Sequence, residues 1–362
     1  MICEEIQFPL RGSIAEIALV IEWAIILLFF EFTLIFLNRV FKSKNELKSL
    51  QEKGYVYLFL GFSLMWIFFI IGDHYVISSE FRTIFLNFGY ISLMLGALTF
   101  IYTIERYKIL LKKYLFTLIF SLNIIVFFII IIHNFNYGQV ISFTFWPIFV
   151  LFFIFYSVEL SSLFKSNPIL GKFKYKYLQL VIGTIFLISG FGLTTDLIIR
   201  IFGLISRIIG DCFQLVALIF FFSFFISIPS FSEYEWKKKV ENLFIIHKSG
   251  LLIYEKSFVE KDKLSYRSSV SGILASLRMM LEQISEEQAA SIIEKKGKYI
   301  VIQPGFYLYG VLISEEKLNS FPLLLKNLIE KIEIIYSNLL QEWDGDLNVF
   351  RPIDKIIQDY FL

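Results

Sequence analysis

Seven long apolar stretches, separated by short polar or charged segments, occupy about the first 230 residues of the chain. A helix needs about 20 predominantly apolar residues to cross a hydrocarbon core about 30 Å thick, and it satisfies its own backbone hydrogen bonds. Each stretch therefore predicts a transmembrane helix. The predicted spans are 14–37, 55–71, 83–104, 114–132, 140–163, 177–196 and 208–230.

The pattern changes after about residue 240, where shorter apolar runs alternate with turn residues. The segment NLFIIHKSGLLIYEKSF predicts two strands joined at Ser249-Gly250, and a helix is predicted over 268–284. Three more strands are predicted in SIIEKK, KYIVIQ and FYLYGVLIS, followed by a helix over 318–340 and a short helix from Pro352. The apolar face predicted for the longer helix is Phe321, Leu325, Leu328, Ile332, Ile335 and Leu339. We expect one antiparallel sheet covered by helices.

Composition supports this division of the chain. Hydrophobic residues make up 57% of the sequence and charged residues 18%, against roughly 25% charged in soluble domains. The predicted fold is an α-helical polytopic membrane bundle of seven spans, followed by a small α/β domain. The predicted boundaries are 1–232 for the bundle, 233–240 for a short basic linker, and 241–362 for the second domain.

The distribution of lysine and arginine predicts the orientation of the bundle. The segments after the first, third, fifth and seventh spans are rich in these residues, whereas the opposite segments hold only Arg11, Arg82, Arg200 and Arg207. Cationic loops stay on the cytoplasmic side, so we expect a cell-membrane protein with its N-terminus outside and its C-terminal domain in the cytoplasm. The net charge of +2, without a basic stripe, gives no indication of nucleic-acid binding.

Ionisable residues inside predicted spans are costly and are therefore candidates for function. Candidate intramembrane contacts are Glu31, Arg106 and Glu159, whereas Glu22 points to the opposite side of its helix from Glu31. Arg106 lies in TIERYKILLKKY, which resembles the Glu-Arg-Tyr motif of rhodopsin-like receptors. The other marks of those receptors are absent, so we interpret the stretch as a cationic span boundary. The alternative is a functional pair of Arg106 with Glu105 or Glu159.

A second candidate site lies on the predicted outer side. Asp196, Arg200 and Arg207 recur at helical spacing and would line an outer vestibule if the segment stayed helical; the alternative is an interfacial helix with its charges in headgroup water. We interpret Asp73, His74 and His133 as ordinary loop polarity; the alternative is that they sense pH or bind metal. Cys3 and Cys212 both fall near the outer face, where they either form a disulfide or remain two free cysteines.

No enzymatic signature is found in the sequence. It contains no phosphate-binding loop, no HExxH motif and no paired-cysteine metal site. His247 lies in a strand pattern and is interpreted as a structural residue. We therefore predict no catalytic residue, no metal site and no cofactor.

The C-terminal segment resembles a known superfamily. The order of elements, LFIIHKSGLLIYEK, the Ser271-Gly272 pair and the closing WDGDLNVF resemble the longin and roadblock superfamily over about residues 241–362. Profilin-like and PAS-like sheets are the alternatives. The resemblance implies a non-enzymatic platform that dimerises and binds small Ras-like GTPases or trafficking proteins.

Two functions are compatible with these patterns. The first is a receptor-like or scaffold protein whose bundle relays a state change to the C-terminal platform. The second is a transporter, or another membrane protein, with a regulatory tail. A transporter predicts inverted repeats, broken helices or a convergent ionisable cluster, and the acids in this sequence look dispersed.

Overall fold

In the computed structural model, the described part of the first unit consists of helices and the short segments that join them. The model describes residues 8–43, 46–106, 114–166, 175–233, 236–258, 291–295, 297–341, 343 and 345–361. Contacts divide the chain into two units, residues 1–231 and 232–362. The helices of the first unit are α1 (Ser13–Lys42), α2 (Glu46–Ile70), α3 (Ser79–Arg106), α4 (Leu115–His133), α5 (Gly138–Ser166), α6 (Lys176–Leu193), α7 (Asp196–Phe202) and α8 (Ile205–Ser227).

All of these helices except α7 are long and apolar enough to cross a membrane, which gives seven candidate spans within the described ranges. The predicted number of apolar helices is therefore confirmed. The sixth span is shorter than predicted, because α6 ends at Leu193 and Asp196 begins the separate helix α7. Gly203, with a φ of 79°, then separates α7 from α8, so 196–211 is not one continuous helix.

Close helix contacts and aromatic rings hold this unit together. A Cβ placed on Gly96 of α3 would lie 2.6 Å from the carbonyl oxygen of Tyr57 on α2, so this crossing requires glycine. Phe29 of α1 stacks on Phe62 of α2, with ring centroids 5.0 Å apart. Phe59 continues the layer toward Phe225 of α8, at 5.7 Å. The interior beside these rings is a packed apolar layer.

The second unit is built on a five-stranded antiparallel sheet. Its strands are β1 (Val240–His247), β2 (Leu252–Ser257), β3 (Ser291–Lys295), β4 (Lys298–Pro304) and β5 (Leu308–Ser314), in the order β2-β1-β5-β4-β3. The predicted hairpin and the three later strands are confirmed. The helix predicted over 268–284, including Ser271-Gly272, lies outside the described residues.

Three α-helices belong to the described part of this unit. They are α9 (Trp236–Lys239), α10 (Ser320–Gln341) and α11 (Ile353–Phe361). The Glu233 carboxylate accepts hydrogen bonds from the backbone N–H groups of Asn319, at 2.7 Å, and Ser320, at 3.1 Å. It therefore caps the start of α10, where its negative charge also interacts favourably with the helix dipole.

The buried face of α10 differs from the predicted face in its last turns. Phe321, Leu325, Leu328 and Ile332 are buried as expected. Ile335 and Leu339 are 54% and 46% exposed, and Tyr336 and Leu340 are buried in their place. The prediction was wrong there because apolar residues at both sets of positions satisfy helical spacing.

Candidate functional site

The three residues predicted as intramembrane contacts do not come together. Glu31, Arg106 and Glu159 are all exposed on the surface of the helical unit. Glu105, the neighbour of Arg106, is buried and accepts hydrogen bonds from the backbone N–H groups of Phe116 and Thr117, each at 2.9 Å. The acid of the Glu-Arg-Tyr stretch thus caps the start of α4.

A buried network of ion pairs lies instead at the end of the unit where α8 begins. Arg207 of α8 donates from Nε to Glu22 of α1, at 2.6 Å, and from Nη1 to Asp73, at 2.7 Å. The three side chains are 3%, 0% and 5% exposed, respectively. Asp73 lies in a π-helical turn, Ile71–Tyr75, that ends the second span. Such turns inside helices are frequent at functional sites.

The network continues through a second arginine. Arg82 of α3 donates from Nε to the other carboxylate oxygen of Asp73, at 2.7 Å. Its Nη1 and Nη2 atoms bind both oxygens of Asp196, at 3.0 and 2.9 Å. A planar guanidinium paired in this bidentate way fixes both direction and distance. The alternating sequence Glu22, Arg207, Asp73, Arg82, Asp196 is called the ion-pair network below.

Two further ionisable residues adjoin the network. His74 Nε2 lies 3.2 Å from Glu22 Oε2. Asp211 lies one turn along α8 from Arg207 and is fully buried, and neither of its carboxylate oxygens has a hydrogen-bond partner in the described structure. A buried acid without a donor is costly in its charged form, so Asp211 adds an unsatisfied group to this end of the unit.

A cavity of about 250 Å³ adjoins the ion-pair network. Its charged lining residues are Asp73, Arg82, Asp196 and Arg207, and its hydroxyl-bearing lining residues are Tyr90, Ser142, Thr194 and Thr195. The remaining walls are largely aromatic: Trp66, Phe69, Phe143, Trp146 and Phe191. An apolar cavity with a few converging polar groups is the usual form of a small-molecule site.

The structure changes several interpretations made from the sequence. Asp73 and His74 were interpreted as loop polarity, which was wrong, because Asp73 is buried in ion pairs with both arginines and the His74 side chain is buried against Glu22. The acids are not all dispersed, since three of them share two arginines. Of the predicted vestibule, Asp196 and Arg207 come together at the cavity, whereas Arg200 is exposed on α7.

The remaining sequence candidates are not among the residues of the ion-pair network or the cavity lining. Cys212 is an exposed free cysteine, and the disulfide that the sequence left as one alternative depends on Cys3, which lies outside the described residues. His247 contacts Ser249 and the carbonyl oxygen of Leu340, as a strand-end residue does. No group of three or more metal-ligating side chains occurs in the part of the chain that the structure describes.

A second set of buried polar contacts lies near the start of α2, where the chain leaves α8. Gln51 accepts from the backbone N–H of Phe231 through Oε1, at 2.9 Å. Its Nε2 donates to the Tyr55 hydroxyl, at 2.6 Å, and lies 3.4 Å from the carbonyl oxygen of Pro229. We call these contacts the Gln51 clasp. They fix the segment through which α8 leads out of the first unit.

Comparison with family models, curated proteins and solved structures found no match to this chain. Its function is therefore argued from the geometry of the described residues.

Proposed function

We propose that this protein is a receptor-like membrane protein. Its helical unit senses a small ligand at the ion-pair network, and its C-terminal unit passes the signal to a protein partner. The observation that carries the proposal is that α8 connects the two sets of buried polar contacts. Arg207, in its first turn, belongs to the network, and the segment after its last turn is held by the Gln51 clasp.

The ion-pair network is suited to sensing because its charges are buried and interdependent. Asp73 is shared by two arginines, so a ligand that attracts Arg82 or Asp196 also alters the partners left to Arg207. Removing one partner from a buried pair leaves an uncompensated charge, which costs several kcal/mol. A ligand that binds one pairing arrangement more tightly therefore shifts the population toward it.

A movement of α8 would transmit the change in ion pairing along the chain toward the second unit. The helix has 23 residues and is about 35 Å long at 1.5 Å per residue, so it acts as one stiff element. Beyond the Gln51 clasp, the chain enters α9 and then β1 of the second unit after a few residues. Such a short connection supports the transmission of a shift or rotation of α8 to the sheet.

The proposed output is protein binding by the C-terminal unit. The order of two strands, three further strands and closing helices supports the resemblance to longin and roadblock domains. That resemblance implies small Ras-like GTPases or trafficking proteins as partners, and a homodimer through this unit. Exposed Ile334, Ile335 and Leu339 on α10 are apolar side chains of the kind that partner surfaces use. The placement of the cationic segments supports a cell-membrane protein whose C-terminal unit lies in the cytoplasm.

The transporter alternative gains one of its expected features, a convergent cluster of ionisable residues. Against it, this cluster lies at one end of the helical unit. Farther along the same helices, the interior is filled by aromatic rings that contact one another, namely Phe29, Phe59, Phe62 and Phe225. A translocation path needs polar groups through the membrane depth, and these rings occupy that space.

Partner binding by the full-length protein in lipid nanodiscs tests the proposal. Purified small Ras-like GTPases from the same organism would be presented in GDP-bound and GTP-bound forms. We expect at least one to bind with a nucleotide preference. We expect Asp196→Asn and Gln51→Met, both in the first unit, to change its affinity at least fivefold.

Glu31→Gln is the matched control, because Glu31 is an exposed acid on α1 outside the ion-pair network, and it should leave partner affinity unchanged. If no GTPase binds, the proposed output is wrong. If a GTPase binds equally to all variants, the helical unit is only an anchor. Uptake of a labelled solute into vesicles that depends on Asp196 would support the transporter instead.

A further inference from the structure

The ion-pair network contains one more negative charge than positive. Glu22, Asp73 and Asp196 supply three carboxylates, and Arg82 and Arg207 supply two guanidiniums, so the sum is minus one. The charges alternate along the network, and a carboxylate stands at each end. A buried excess negative charge of this kind is costly, and a cation bound nearby would offset it.

The two ends of the network differ in what can reach them. Glu22 is fully buried, and its second carboxylate oxygen already faces His74 Nε2 at 3.2 Å. Asp196 is 20% exposed and lines the cavity. Asp211, near the Glu22 end, adds a further acid and no cation. Of the two terminal carboxylates, Asp196 is therefore the one that a ligand in the cavity can approach.

Aromatic rings form much of the remaining cavity wall. The ring centroids of Trp146 and Phe191 lie 4.5 Å apart, and those of Trp66 and Phe191 lie 6.1 Å apart. Indole faces are the best aromatic partners for cations. The same end of the unit already holds one cation in this way, because Arg82 Cζ lies 3.5 Å from the centroid of the Phe8 ring.

We infer that the cavity binds a small organic cation, with its ammonium group beside Asp196 and its apolar part against Trp66 and Trp146. This inference rests on the proposed function, which makes the cavity a ligand site. The two arginines do not favour an anion, because each is already paired with two carboxylates. A volume of about 250 Å³ corresponds to about eight water molecules, so the ligand has on the order of ten non-hydrogen atoms.

Three matched probes of this size test the charge preference. Benzylammonium, benzyl alcohol and benzoate share a ring and differ in charge, and their binding to full-length protein in nanodiscs would be measured by calorimetry. We expect benzylammonium to bind at least tenfold more tightly than benzyl alcohol, and benzoate not to bind. Equal affinity for the alcohol, preference for benzoate, or no binding of benzylammonium would overturn the inference.

Two variants locate the binding site. Asp196→Asn should weaken benzylammonium binding at least tenfold, and Trp146→Leu should weaken it about fivefold. Glu31→Gln should leave the affinity unchanged. Undiminished affinity in a folded Asp196→Asn or Trp146→Leu protein would place the cation elsewhere and contradict the assignment.

The outcomes separate this inference from the proposed function. If Asp196→Asn changes the affinity for the protein partner but no probe binds, the inferred cation site is wrong, and the proposed coupling of the helical unit to partner binding is still supported. If benzylammonium binding depends on Asp196 but Asp196→Asn leaves the affinity for the protein partner unchanged, the cation site is supported, and the proposed coupling of the helical unit to partner binding is wrong.

Discussion

Replacing Arg207 with glutamine should be among the most destabilising single changes in the helical unit. The guanidinium is 3% exposed and binds two carboxylates at 2.6 and 2.7 Å. Glutamine removes the charge and leaves Glu22 and Asp73 buried without this partner, beside Asp211. Breaking a buried pair in this way costs about 3–5 kcal/mol. For a unit of this size, that corresponds to a fall of roughly 6–20 °C in melting temperature.

Thermal unfolding of the full-length protein in nanodiscs, followed by intrinsic tryptophan fluorescence, measures this effect. Arg200→Gln is the matched control, because Arg200 lies on neighbouring α7 and is exposed, so its loss should cost less than about 0.5 kcal/mol. The double variant Arg207→Gln with Glu22→Gln should lose less stability than the sum of the single variants, by at least about 1 kcal/mol, because the two residues share one ion pair. A Tm for Arg207→Gln within about 2 °C of that for Arg200→Gln would refute the buried ion-pair network.

Three further predictions concern other parts of the molecule. Glu105→Gln should destabilise the helical unit by about 1–2 kcal/mol, because Glu105 caps α4, whereas Arg106→Ala, at an exposed position, should have little effect in the same thermal assay. Gly96→Ala should lower the free energy of unfolding by about 1–3 kcal/mol, since a Cβ there meets the backbone of α2. Gly192→Ala is the control and should be tolerated, because no heavy atom lies within 4 Å of its Cβ position. Equal melting temperatures for the two variants would contradict the close crossing of α2 and α3. In the second unit, hydrogen bonds from Tyr254 and Lys256 hold the pKa of Asp354 below its usual value, so their stabilising effect is present above about pH 4 and is lost as pH falls through the lowered pKa. Tyr254→Phe should raise the Asp354 pKa toward the ordinary value, and an unchanged carboxyl titration by NMR would contradict this.

Local hydrophobic patterns were sufficient to predict the seven long apolar helices and the five strands. A span must be long and apolar whatever its neighbours are, so α1 to α6 and α8 could be recognised from local sequence alone. The helix face of α10 was predicted correctly only as far as Ile332. Beyond it, apolar residues at consecutive positions leave the face undetermined until the sheet is in place.

The ion-pair network could not be predicted from sequence, because its members are distant along the chain. Arg207 is 185 residues from Glu22 and 134 from Asp73. One signal was nevertheless present. Arg82 and Arg207 are cationic residues on the side of the bundle where the charge bias disfavours them, and such exceptions need a partner. That exception indicates that these arginines need acidic partners, but it does not identify Glu22 or Asp73.

Hydrogen exchange at the Gln51 clasp tests the central claim most directly. The amide of Phe231, which donates to Gln51, would be followed in nanodiscs with and without saturating benzylammonium. The relay predicts that ligand changes the exchange rate of this amide at least threefold in the wild-type protein and has no effect in Asp196→Asn. Bound ligand, shown by calorimetry on the same sample, with an unchanged Phe231 exchange rate would contradict the account.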